Sequence, residues 1–131
     1  MDVQRDVTYY MLNHLPEDLI PYWDYTFTEG VEQPRDSSAG VISVCGMHEM
    51  CKYLPDDAPQ KDIFCNASSR MLEAIIDQCT VDIGREYDGL ICHVTHAAPQ
   101  KTGIDECAIY GDYFYLEALM RFTNPKWNRY W

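Results

Sequence analysis

The sequence predicts an all-α protein, on three observations. Apolar residues recur every three or four positions in four separate segments, the spacing that lines one face of a helix. Prolines punctuate those segments: Pro16 and Pro21, then Pro55, then Pro125. Helix and long loop alternate twice, the rhythm of stacked helical hairpins.

The first helix is expected over Asp2–Asn13, where Val3, Val7, Tyr10, Met11 and His14 share the helical spacing. The second runs from Ser37 to Tyr53, with Val41, Ile42, Cys45 and His48 or Glu49 along one face. Asp36 or Ser37 is its natural N-cap, because either side-chain oxygen can accept from a backbone N–H two or three residues on. A third helix spans Lys61–Thr80, where Met71, Leu72, Ile75, Ile76 and Cys79 give the cleanest 3.6-residue pattern in the chain. Residues 82–110 read mainly as a long loop, although "GLICHVTHAA" can hold a short strand; loops of such length inside compact domains tend to be functional. The last helix begins near Asp112 and runs through "YFYLEALMRF", with Leu116, Leu119 and Met120 facing the core by spacing. The aromatic tail "KWNRYW" is expected to dock back on the fold.

With 131 residues, 47% of them apolar, the chain has the size and composition of one domain with a real core. Ten tyrosines, three tryptophans and four phenylalanines suit sugar stacking, and suit core packing better. The net charge is −11, and no lysine or arginine block interrupts it. That argues against nucleic-acid partners and anionic membrane surfaces. No stretch approaches the ~18 apolar residues of a membrane span, and the acidic N-terminus is unlike a signal peptide, so a cytoplasmic location is expected. The six cysteines form no CxxC and fit neither a zinc module nor a redox dithiol; they read as mostly reduced and buried.

Four phrases carry a resemblance: "NHLPEDLIPYWDY", "PRDSSAG" opening a helix, "GLICHVTH", and "IDECAIYGDYFYLEALMRF". In order and spacing they resemble the C-terminal part of glycoside hydrolase family 88, the unsaturated glucuronyl hydrolases, from about Tyr9 to Trp131. The resemblance implies an (α/α)6 toroid of six helical hairpins, with a substrate bowl at one end. It also implies release of a 4,5-unsaturated uronic acid from lyase-generated oligosaccharides, with an aspartic acid protonating the vinyl ether, and no cofactor or metal. Twelve helices of ~11 residues with loops of ~5 need at least ~190 residues. Residues 1–131 are therefore expected to form a C-terminal segment holding about two hairpins. No catalytic aspartate can be placed in it, and its helix faces are expected to be open to self-association or to a missing N-terminal part.

Within that segment the candidate substrate-binding residues are Arg35, Asp36, Ser37, Trp23, His96, Tyr110 and Gly111. Arg35 suits polar sugar groups, and it suits pairing with a surface carboxylate equally well. Asp36 and Ser37 suit helix capping or orienting the local backbone. Trp23 offers a stacking plane or a loop anchor. His93 and His96 lie three apart and lack a clear third metal ligand; a hydrogen bond to a uronate or hydroxyl is the functional reading, favoured at His96. Gly111 before Asp112 points to close backbone approach at a helix start, and Tyr110 offers a hydroxyl. Asp24, following Tyr-Trp in a loop, has the look of a candidate acid, against the more ordinary reading of a loop acid that caps or is solvated.

Overall fold

The computed structural model describes residues 2–82, 84 and 88–128. Four α-helices follow one another: α1 (Asp2–Asn13), α2 (Ser37–Cys51), α3 (Pro59–Cys79) and α4 (Ile109–Thr123). The fold is all-α, as the periodicity requires. α1 has the expected bounds; α3 starts two residues early because Pro59 suits the first helical turn. α4 starts at Ile109, three residues before the expected Asp112. "GLICHVTHAA" forms no strand: among the described residues the β contacts are single bridges, Tyr22 with Arg35, Thr80 with Ile91, Val94 with Glu106 and Ala97 with Thr102. Ala98–Gln100 makes one 3-10 turn.

α2 is the central element and packs against both α3 and α4. Val41, Val44 and Met47 of α2 meet Phe64, Met71 and Ile75 of α3 and Tyr115 and Ala118 of α4, all buried. Each such large apolar side chain contributes roughly 1.5–3 kcal/mol relative to exposure. α1 joins through Met11 and through Tyr9, whose ring centroid lies 5.1 Å from that of Phe64. Burial pushes the Cys45 and Cys79 thiols up to about 12, which keeps both inert.

Four apolar residues placed on an inward face by their spacing do not face inward. Ile42 on α2, Ile76 on α3 and Leu116 and Met120 on α4 are exposed, Leu116 by 51%. The reason on α4 is an ion cluster. Its inward face carries Glu117 and Arg121, both buried. Arg121 donates from Nε and Nη2 to Glu117 Oε1 at 2.9 and 2.7 Å, and from Nη1 to Glu49 Oε2 of α2 at 2.5 Å. The Trp127 ring lies 4.8 Å from the guanidinium, so this part of the tail docks on α4; Arg129, Tyr130 and Trp131 lie outside the described residues. Ile109, Tyr113, Leu116 and Met120 consequently form an exposed stripe along α4, and Val3, Val7 and Tyr10 form another on α1.

The cysteines also differ from expectation. Cys51 and Cys65 form a disulfide that ties the end of α2 to α3, with their Cα atoms 6.0 Å apart. Cys45, Cys79, Cys92 and Cys107 are free, the last two only partly buried. The spacing of 14 residues suits no known metal motif, and only the antiparallel meeting of α2 and α3 brings the pair together. Non-reducing denaturation is expected to expose four titratable thiols, and closing a loop of this length is worth about 3 kcal/mol, lost on reduction. Six thiols before reduction would contradict the cross-link.

The ion cluster predicts an acid-sensitive interface. Burial by itself raises the Glu49 carboxyl; hydrogen bonds from Arg121 and Lys52 outweigh it and hold the pKa at about 2, below the ordinary 4.5. A lowered folded-state pKa gives stabilisation that is complete above pH 4.5 and lost as pH falls towards 2. Urea midpoints measured between pH 5 and 3 should therefore drop in the native chain and drop less in Glu49→Gln. Equal slopes would show that the pair does not couple α2 to α4.

Candidate functional site

The start of α2 is where distant segments converge. Asp36 caps the helix, its Oδ1 accepting from Ser38 N at 3.1 Å and from Ser38 Oγ at 2.6 Å. The same oxygen reaches Thr95 N at 3.5 Å. Ser37, fully buried, donates its N–H to His93 O at 2.9 Å and its hydroxyl to Cys92 O at 2.6 Å. Thr95 Oγ1 returns a bond to Arg35 O at 2.8 Å. Residues 35–38 and 92–95, almost sixty positions apart in sequence, are thus stitched edge to edge.

Arg35 faces the other way. Its guanidinium binds both carboxylate oxygens of Asp18, at 3.0 and 2.8 Å, and donates to Ile20 O at 2.5 Å. It also lies 4.2 Å from the centre of the Tyr22 ring. Arg35 therefore fastens the segment before it, residues 18–22, to the start of α2. Trp23 continues that segment, donating Nε1–H to Gln33 Oε1 at 3.1 Å and tilting against Phe27. Asp24 accepts from Thr26 N at 2.8 Å, and that bond holds its carboxyl below the usual range. It is a turn-former.

α4 closes the cluster from the opposite side. Gly111 sits where a Cβ would come within 3.1 Å of Val94 Cγ2 and 3.5 Å of Ser38 Cβ, which is the close approach the sequence suggests. Asp112 Oδ1 accepts from Leu90 N and Ile91 N at 2.9 and 3.2 Å, so this acid caps the neighbouring segment. Tyr110, one residue before Gly111, lies beside Ser38; burial and the Asp36 charge push its phenol up, which keeps it protonated and able to donate. The His96 ring stands 6.3 Å from that of Tyr110. Together with Glu106 and Cys107 they line a hollow of about 370 Å³.

A second hollow, of about 420 Å³, lies beside Arg35, with His93 and Asp105 in its wall. His93 Nδ1 is 2.5 Å from Asp105 Oδ1. The spacing of His93 and His96 suggests one helical face, but neither residue lies in a helix, and the two rings line different hollows. Both His93 and Asp105 adopt left-handed backbone, at φ 62° and 59°. Such conformations cost of order 1–3 kcal/mol each for L residues and cluster at functional sites. Among the described residues no group of three metal-ligating side chains is gathered, and no helix is long and apolar enough to cross a membrane.

No protein-family model matches the chain. Curated proteins do: over 99% of its length it is 44% identical to an unsaturated chondroitin disaccharide hydrolase of Streptococcus pneumoniae, and over 92% it is 30% identical to an unsaturated glucuronyl hydrolase of Bacillus sp. (strain GL1). The crystal structure of the unsaturated glucuronyl hydrolase from Streptococcus agalactiae superposes over 95% of the chain with a TM-score of 0.90 at 45% identity. By sequence and by fold, the chain belongs with the unsaturated glucuronyl hydrolases. It spans about a third of the length of the relatives it matches: 33% of the Streptococcus pneumoniae protein and 33% of the Streptococcus agalactiae chain. These neighbours share the α/α toroid, so the four helices correspond to part of a toroid. A further Streptococcus agalactiae structure contains the unsaturated disaccharide dGlcA-GalNAc6S.

Within this unsaturated glucuronyl hydrolase segment, several participants were not legible beforehand. Ser38 and Thr95 complete the Asp36 network, and the S-S doublet after Asp36 was the available signal. Asp105 gave no signal, because its partner lies twelve residues away across an irregular loop. Asp36→Ala should cost about 1–2 kcal/mol as a lost cap. Ser37→Ala should cost about 1–3 kcal/mol, because it leaves the Cys92 carbonyl without its donor. Since both substitutions loosen the same loop, urea denaturation of the double variant should show less than the sum; strict additivity would mean that the two residues act separately.

Proposed function

We propose that this chain forms part of the substrate bowl of an unsaturated uronyl hydrolase, acting on 4,5-unsaturated oligosaccharides left by polysaccharide lyases. The observation that carries the reading is 44% identity across nearly the whole chain to an unsaturated chondroitin disaccharide hydrolase. In the complete enzyme, an acid protonates C4 of the C4=C5 double bond and water adds at C5. The resulting hemiketal then collapses, opening the ring and releasing the attached sugar. The bond at the anomeric carbon breaks as a consequence, without displacement there.

The local chemistry supports a binding role. The carboxylates around the site act as hydrogen-bond acceptors: Asp36 for Ser38 and Thr95, Asp18 for Arg35, Asp112 for Leu90 and Ile91. Each is engaged by donors of the protein itself, which gives it a structural task at the rim. We assign sugar contact to Trp23, His96 and Tyr110, and assign Arg35, Asp36, Ser37 and Gly111 to shaping and lining the same rim. A cytosolic location belongs to the same proposal; the Cys51–Cys65 cross-link is its sharpest challenge, because disulfides are rare in that compartment.

A second reading rests on the exposed stripes of α1 and α4: a helical module that covers these faces by self-association or with the rest of a toroid. Two measurements separate the readings. The purified chain, incubated with unsaturated chondroitin disaccharide, should leave the absorbance of the enol ether unchanged while still binding the sugar; robust turnover would overturn the assignment of this segment to binding alone. Light scattering after size exclusion should show oligomers if the faces are covered by self-association, and a clean monomer would remove that form of the second reading.

A further inference from the structure

The hollow beside Arg35 holds a pair that the reading above does not use. His93 and Asp105 are each in left-handed backbone, and their side chains meet at 2.5 Å. The His93 carbonyl is pinned by Ser37 N, and Val94 and Glu106 bridge just beyond, so the fold imposes the strained geometry from both sides. The result is an imidazole held by a carboxylate at Nδ1, with Nε2 free of protein partners among the described residues. That is how a histidine is fixed in one tautomer and aimed.

The charge around the hollow selects what it can hold. Glu32 and Asp105 line it, and its cation, Arg35, is already bound to both oxygens of Asp18. A carboxylate or sulfate entering there meets like charge without a free counter-ion. A hydroxyl group meets acceptors and an aimed imidazole nitrogen, and hydroxyl-to-carboxylate bonds are among the stronger neutral-ligand contacts. We propose that the His93–Asp105 pair is a saccharide contact in which His93 Nε2 accepts a hydroxyl of the neutral sugar joined to the unsaturated uronate, with Asp105 as its positioning residue. The inference rests on the saccharide-binding reading above and adds the group that touches the second sugar.

Nuclear magnetic resonance of the complete chain tests it, with unsulfated unsaturated chondroitin disaccharide as probe. Neutral His93 should show the Nδ1–H tautomer in its nitrogen-15 shifts, and its ring signals should move saturably with the sugar. His93→Ala should weaken binding about threefold to tenfold, as for one neutral hydrogen bond. Asp105→Asn should release the tautomer and weaken binding while the remaining amide spectrum stays folded; a merely structural Asp105 would not control the tautomer. Shifts at Tyr110 and His96 with His93 unmoved overturn the inference and leave the saccharide reading standing. No shifts anywhere overturn that reading and the inference with it. Equal movement of His93 by inorganic sulfate alone contradicts the selection for a neutral hydroxyl.

Discussion

Ser37 is the joint on which the site depends. A small, fully buried residue at the first turn of α2 gives one hydrogen bond from its backbone and one from its side chain to consecutive carbonyls of the 92–93 segment. Both of these donors would be orphaned if they pointed elsewhere, because the first turn of a helix has no internal acceptors for its N–H groups. The late loop, for its part, has no ladder to satisfy its carbonyls. Each side supplies what the other lacks. Asp36, one residue earlier, adds the helix cap and a link to Thr95, so capping the helix and placing the loop are the same act.

The consequences spread outward from there. With residues 92–95 anchored, Val94 can bridge to Glu106, and the chain returns to α4 so closely that a Cβ at position 111 would stand 3.1 Å from Val94 Cγ2. That approach brings Tyr110 beside Ser38 and turns His96 towards it, while His93 is left on the far side against Asp105. Two hollows of different chemistry thus flank one short extended segment, and both owe their walls to the start of α2. The Glu49–Arg121–Glu117 cluster does the corresponding work at the other end of the helix pair, fixing α4 against α2 with charges.

What was legible in the sequence is what local physics decides. The bounds of α1, the start of α2 and its Asp36 cap follow from spacing, proline and side-chain oxygen. Gly111 as a point of close approach follows from glycine before a helical acid. What was not legible is what depends on partners distant in sequence. Leu116 and Met120 satisfy a core pattern, yet Glu117 and Arg121 take the inward face, where the Arg121 guanidinium also finds Glu49, 72 residues away, as an acceptor. Arg35 reads as a sugar-binding cation until Asp18 is seen to hold it. Cys51 meets Cys65 only because α2 and α3 run back to back. His93 and Asp105 pair through two left-handed residues, and the pairing runs across an irregular loop that has no spacing to announce it.

Amide hydrogen exchange at Ser37, Ile91, Cys92 and Val94 tests the joint most directly. These N–H groups donate to His93 O, Asp112 Oδ1, Cys79 O and Glu106 O in turn. If the start of α2 and the late loop form one unit with the core, all four should exchange only on global unfolding, with the protection of Val44 and Ile75. Exchange of the 91–94 amides by local opening, while Val44 and Ile75 stay protected, would show that the loop is only laid against α2 and would contradict the account.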